Sequence, residues 1–154
     1  MLKDDITEKR KARHSITQED FTPEAICEIL CNDCEELFKD FSKTYLDPCS
    51  GTGNIIVYIL KKRLKYCNTN EDVYNALKTI YGTELMKDNV EESYKNILYN
   101  IMLCTSKKHL DLNESIILDI LHRNIVCTDT FKWNYEEWRP YTEEELKQIK
   151  KGTI

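Results

Sequence analysis

The sequence Asp47-Pro48-Cys49-Ser50-Gly51-Thr52-Gly53-Asn54 stands between a short segment, Lys43-Thr44-Tyr45-Leu46, and the apolar run Ile55 to Leu60. Gly51 and Gly53 allow a turn that residues with a Cβ adopt only at a cost. The flanks read as a strand entering that turn and a helix leaving it. Strand, glycine-rich turn and helix in this order form the first half of a βαβ unit.

Downstream, the same alternation continues. A polar stretch from Tyr66 to Asp72 precedes a weak helix around Val73 to Lys78, and Thr79-Ile80-Tyr81-Gly82-Thr83-Glu84-Leu85 is a short strand reaching an acid. Val90, Tyr94, Ile97, Leu98 and Ile101 recur at three and four, which predicts a crossover helix over about Lys87 to Leu103. Another helix runs from Asn113, its cap, to about His122, and Asn124-Ile125-Val126-Cys127 is a third strand leading to Asp129. Thr142-Glu143-Glu144-Glu145 has the capping-box pattern and opens a short polar helix that Gly152 ends. Upstream, Thr22 as N-cap, Pro23 at the first helical position and Glu24 in the first turn open a helix from about Pro23 to Phe38. Strands alternating with helices predict an α/β domain with a parallel sheet and helices on both faces.

The 154 residues, 41% of them hydrophobic and 32% charged, suit one domain, expected over 16–154 behind a charged arm at 1–15. The longest apolar run, Ile55 to Leu60, is far below the roughly 18 residues of a membrane span, so no membrane is expected. The charged start, MLKDDITEKRKARH, lacks the apolar core of a secretory signal, and a cytoplasmic location is expected. A net charge of −5 argues against duplex DNA being held by this chain alone. Of the two basic clusters, Lys9, Arg10, Lys11 and Arg13 form an arm that touches phosphates or nothing, and Lys61, Lys62, Arg63 and Lys65 read as the solvated last turn of a helix. Seven cysteines are an odd number without framework spacing and are expected as thiols. Cys27, Cys31 and Cys34 fall at i, i+4 and i+7, and they read as a face packed on the core in preference to a zinc site. No spacing supports a role for His14, His109 or His122.

In a parallel sheet the ligand lies beyond the carboxyl ends of the strands, where strand order reverses. Asp47, Glu84 and Asp129, each at such an end, are therefore expected around one crevice. A dinucleotide fingerprint requires G-x-G-x-x-G, and the third glycine is missing after Gly51-Thr52-Gly53. A carboxylate at the end of the first strand repels phosphate and attracts a cation, which suits a sulfonium cofactor bearing an ammonium group.

Asp47-Pro48-Cys49-Ser50-Gly51-Thr52-Gly53-Asn54 resembles the D-P-x-x-G-x-G-N motif of the S-adenosylmethionine-dependent DNA adenine N6-methyltransferases, which include the modification subunits of restriction systems. Phe21-Thr22-Pro23 is similar to their F-T-P segment, Tyr81-Gly82-Thr83-Glu84-Leu85 to their Y-G-x-E-hydrophobic segment, and Asn124-Ile125-Val126-Cys127-Thr128-Asp129-Thr130-Phe131 to their third motif. Order and spacing agree from Phe21 to Phe131. The resemblance implies a Rossmann-like methyltransferase fold that binds S-adenosylmethionine. Phe21 and Thr22 would contact the methionine end, Asp47, Pro48, Gly51 and Gly53 would shape the pocket, and Glu84 would accept from the ribose hydroxyls. Asp129 would take the adenine amino group and Phe131 would pack on the adenine ring. Taken singly, Asp47-Pro48 also reads as a turn, Glu84 as a solvated acid and Asp129 as a cap or loop residue.

The same family holds its target base with an Asn/Asp/Ser-Pro-Pro-Tyr/Phe motif, and this sequence has no Pro-Pro. Trp138-Arg139-Pro140-Tyr141 lacks the polar first residue and a preceding apolar strand, so no catalytic residue is assigned. The family's remaining strands and target-recognition region are also missing, which implies an incomplete sheet. Trp133, Tyr135 and Trp138 are read as a cover for its open face, as a contact for a partner chain, or as a base-stacking group. Two functions follow as expectations. One is the cofactor-binding part of an adenine methyltransferase, completed by a partner chain that brings DNA or by a divergent site. The other is a catalytically inactive binding or regulatory module of a restriction-modification or phage system. A protein partner or homo-oligomer is expected in either case.

Overall fold

The computed structural model describes residues 22–152. Phe21 and the arm expected at 1–15 lie outside them. The elements in chain order are α1 (Glu24–Leu30), a 3-10 turn (Asn32–Cys34), α2 (Glu35–Lys39), β1 (Tyr45–Asp47), α3 (Asn54–Leu64), α4 (Asn70–Lys78), β2 (Ile80–Glu84), α5 (Lys87–Thr105), α6 (Glu114–Asn124), β3 (Ile125–Cys127), a 3-10 turn (Thr130–Lys132), β4 (Trp133–Asn134), β5 (Arg139–Pro140) and α7 (Glu143–Lys150).

β1, β2 and β3 form a parallel sheet in the order β1-β2-β3, with Asp47 beside Gly82 and Glu84 beside Cys127. The α/β class and the parallel sheet are as expected, but the covering of both faces is not. Three strands laid down in one direction with right-handed crossovers put every crossover helix on the same side. The burial pattern agrees: Ile80 and Ile125 belong to one core with Ile56 and Leu60 of α3, Val73 and Leu77 of α4, Ile97 and Ile101 of α5, and Ile117 and Ile120 of α6. Side chains alternate across a sheet, so Leu46, Tyr81, Thr83 and Val126 face the other way, and Leu46 is half-exposed.

That second face is covered over β2 by the antiparallel hairpin β4–β5. The Trp138 ring meets the Tyr81 ring edge to face at 4.7 Å and its indole N–H donates to the Arg123 carbonyl at 2.7 Å. Of the three readings of these aromatics, the cover is the one realised by Trp138 and Tyr135. Trp138 holds a φ of 51°, a conformation costly for a bulky residue. Bidentate contacts from Arg139 to Glu145 at 2.9 and 2.8 Å tie the hairpin to α7, and a contact from Arg139 to Glu137 lies within the hairpin.

The helix expected from Pro23 to Phe38 is two helices. It breaks at Cys31 (φ −107°, ψ 8°), where Asn32 and Asp33 begin a 3-10 turn, and both residues favour local side-chain bonding over helix. Pro23 occupies the cap position, and no side-chain cap bond comes from Thr22. The three cysteines therefore do not share one regular helical face. Cys27 is buried, and Cys31 and Cys34 are half-buried against the core.

Arg63 also departs from expectation, being fully buried where a solvated last turn was predicted. Its guanidinium lies 4.6 Å from the Phe41 ring centroid and 5.2 Å from that of Tyr45, and donates to the Leu37 and Asp40 carbonyls at 3.4 and 3.3 Å. Cation–π contact and backbone acceptors take the place of a carboxylate. The Asn113 cap and the Thr142–Glu145 capping box form as predicted. No described helix is long and apolar enough to cross a membrane.

Candidate functional site

Beyond the carboxyl ends of the three strands lies a cavity of about 410 Å³, within the range of small-molecule sites. The strands run in sequence order, so the described sheet contains no order reversal; the site follows the strand ends themselves. Its walls are the 47–55 turn with the start of α3, the segment Glu84 to Met86 after β2, and the segment Thr128 to Phe131 after β3, with Thr22 closing one side. Of the expected site residues, Thr22, Asp47, Pro48, Gly51, Glu84, Asp129 and Phe131 are brought together here.

Gly53 does not itself line the cavity; it belongs to the turn that does. Its φ is 84° and a Cβ would lie 3.1 Å from the Ser93 Cβ, so the glycine lets the turn lie against α5. Gly51 does face the cavity; its φ is 51° and no atom lies within 4 Å of where a Cβ would stand, so backbone conformation alone accounts for it. Gly82, in β2, has no space for a side chain, since a Cβ would stand 2.9 Å from Ile56 Cδ1 and 3.1 Å from Ser50 Oγ.

The three carboxylates differ in their surroundings. Asp47 Oδ1 accepts the Cys49 N–H at 3.2 Å. Desolvation pushes its carboxyl above the ordinary range, the charge of Glu84 adds to this, and the Cys49 bond opposes it. Glu84 is not a solvated acid: Oε2 accepts the Gly51 N–H at 2.9 Å, and Oε1 accepts the Met86 N–H at 2.8 Å and an Asn89 amide hydrogen at 3.4 Å. It joins the glycine turn to the chain entering α5, and of about four lone-pair positions on a carboxylate one is left for a ligand donor. Asp129 caps the 3-10 turn through the Phe131 N–H at 3.0 Å and pairs with Lys132 at 3.3 Å. The Phe131 N–H first, then Lys132, holds its carboxyl below the usual value. The Phe131 ring stands at the mouth, 86% exposed.

Among the described residues, no lysine or arginine lines the cavity. Asn54 and Ile55, in the first turn of α3, border it, and N–H groups of a first helical turn have no acceptor within their helix. One part of the wall therefore favours a cation and another a carboxylate. Thr22 is held at the junction, its carbonyl accepting from the Asn54 side chain at 3.0 Å.

Sequence reasoning missed a set of hydroxyls beneath these walls. Thr83, fully buried, donates to the Pro48 carbonyl at 2.7 Å and lies 3.1 Å from the Tyr135 hydroxyl, which also contacts the Thr130 hydroxyl. Alternation along β2 turns Thr83 away from the helices, but no local pattern announces Tyr135 as its partner 52 residues later. No family model, curated protein or solved structure matches the chain.

Proposed function

We propose that this cavity binds S-adenosylmethionine and that the chain is the cofactor-binding part of an adenine-specific DNA methyltransferase, completed by a partner. The observation that carries the reading is the described wall itself: three strand-end carboxylates, no basic side chain, and the first turn of α3 on the same cavity. A nucleotide phosphate meets Asp47 and Glu84 and is repelled. A zwitterion with a neighbouring sulfonium meets charges of the opposite sign, its carboxylate at the start of α3 and its cationic groups beside Asp47. Glu84 retains room for one ribose hydroxyl, Asp129 is available to an adenine amino group, and the exposed Phe131 ring offers a stacking face. Bound S-adenosylmethionine supplies an electrophilic methyl group, and the chain's own residues orient it and keep phosphates out.

Titration calorimetry tests the reading. S-Adenosylmethionine is expected to bind in the micromolar range, NAD not to bind, and Asp47→Asn to weaken the first by about tenfold. Absence of heat with the wild-type protein would sink the cofactor assignment. Asp47 is the better test residue, because removing Glu84 also strips acceptors from Gly51 and Met86.

A second reading, an inactive binding or regulatory module, is favoured by the position of Trp138-Arg139-Pro140-Tyr141. This stretch is part of the sheet-covering hairpin, with Trp138 on Tyr81 and none of its residues on the cavity. Transfer of labelled methyl to DNA separates the two. The partnered-enzyme reading expects transfer only when a complementing chain is present; a module expects none under any pairing.

A further inference from the structure

We propose that Tyr135 is a positioning residue for the cavity, holding its two outer walls at a fixed separation through a directed chain of hydroxyls. The inference rests on the S-adenosylmethionine reading for its ligand, but the hydroxyl chain can be tested without one.

A threonine hydroxyl has a single proton, and that of Thr83 is given to the Pro48 carbonyl at 2.7 Å. At 3.1 Å from Tyr135 Oη, Thr83 Oγ1 is therefore an acceptor. The tyrosine proton is then committed to Thr83, so Thr130 must donate to Tyr135. The one arrangement in which all three contacts are hydrogen bonds runs Thr130 to Tyr135 to Thr83 to Pro48. Bonds aligned in this way polarise one another, and Thr83 at the centre of the chain is fully buried.

The ends of the chain are what give it a function. Pro48 follows Asp47 on one wall, and Thr130 lies between Asp129 and Phe131 on the other; both Pro48 and Thr130 line the cavity. Tyr135 does not line it. Its ring rests against Trp138, with centroids 6.2 Å apart, so the hairpin that covers the sheet also fixes where the hydroxyl stands. Removing that oxygen takes the donor from Thr83 and the acceptor from Thr130, and between the two walls only the direct Thr83–Thr130 hydroxyl contact remains, which at 3.5 Å is at the outer limit of a hydrogen bond.

The test compares wild type, Tyr135→Phe, Thr130→Val and the double variant. Tyr135→Phe keeps the ring and its packing and deletes only the hydroxyl. With S-adenosylmethionine as the probe, each single variant is expected to bind about five- to tenfold more weakly, and the double variant no more weakly than the poorer single. Non-additivity of that kind is the mark of one shared chain; a purely structural loss would add. Hydrogen exchange without ligand is the second readout. In Tyr135→Phe the amides of Cys49, Gly51 and Phe131 are expected to exchange faster while those in the middle of α3 do not change. Should Tyr135→Phe fail to fold, Thr130→Val carries both measurements. Wild-type affinity in both single variants, additive losses, or faster exchange confined to 133–140 would each overturn the proposal. Failure of the wild type to bind would overturn the cofactor reading instead, and the exchange result would still decide the hydroxyl chain.

Discussion

Asp47 is under opposed demands. On the proposed reading a cationic ligand needs its negative charge, and the enclosure of the site disfavours that charge, raising its carboxyl above the ordinary value. A carboxyl whose folded pKa exceeds its unfolded one binds more protons folded than unfolded between the two values. Its contribution to stability therefore improves as pH falls through the raised pKa toward the unfolded one and worsens as pH rises. Asp47→Asn keeps an acceptor for the Cys49 N–H and removes the desolvated charge. It is expected to raise the melting temperature of the free protein at pH 7 by roughly 2–4 °C, the size that ~1 kcal/mol produces in a domain of this length, and calorimetric scanning checks it. Binding of a cation has the opposite sign. On the proposed reading, affinity for S-adenosylmethionine is expected to be full above the raised Asp47 pKa and to fall as acidification protonates the group, beginning at a higher pH than an exposed aspartate would give. Asp129, shifted down, keeps its charge through that window. Titrations carried from pH 8 down into the acidic range are expected to show the loss in wild type and a flatter profile in Asp47→Asn.

At the scale of elements, the three strands and the turn after β1 were legible because each is punctuated locally: an acid or a glycine pair closes every strand, and the apolar spacing of α5 and α6 is regular. The break at Cys31 was not legible, since apolar positions continue at helical spacing across it, and only Asn32-Asp33 hints at a turn. Helix α4 was foreseen from Val73, but it begins at Asn70 under a Thr69–Asp72 capping box, a device that leaves no apolar signature. The role of Gly82 was equally hidden, because it depends on Ile56 and Ser50, which approach only after β2 docks on α3. Gly82→Ala tests that approach. Ile56 Cδ1 is a side-chain end that can turn aside, but Ser50 is buried and its N–H is bonded to the Thr83 carbonyl at 2.9 Å, so the turn itself must shift. The expected cost is ~1–3 kcal/mol, as for other overpacked sites, read as a lower denaturation midpoint. Ligand affinity should fall with it, because Ser50 carries the turn that faces the cavity.

Over the whole molecule, the clustering of Asp47, Glu84 and Asp129 followed from the sequence because any parallel sheet gathers its carboxyl ends. The covering of the sheet did not, because it depends on strand order, and periodicity fixes strands without ordering them. With the crossover helices α3 to α6 on one face, the burden on the other falls on the hairpin, and within it on Trp138, whose ring covers Tyr81 and lies 5.4 Å from the Trp133 ring centroid. Yet Trp138 sits at φ 51°, so ring packing and backbone conformation act against each other at one residue. Truncation can separate them. Trp138→Ala loses the ring and the indole bond to Arg123 and keeps a Cβ in the left-handed region; it is expected to cost ~3 kcal/mol and to increase binding of a hydrophobic dye as Tyr81 is uncovered. Trp138→Gly loses the same contacts but removes the strain, which is of order 1 kcal/mol. Although glycine elsewhere is the more destabilising of the two through its unfolded-state entropy, here Trp138→Gly is expected to be at least as stable as Trp138→Ala in urea denaturation. A glycine variant clearly less stable than the alanine one would mean that the hairpin does not hold position 138 in this conformation in solution, and that the sheet is covered in some other way.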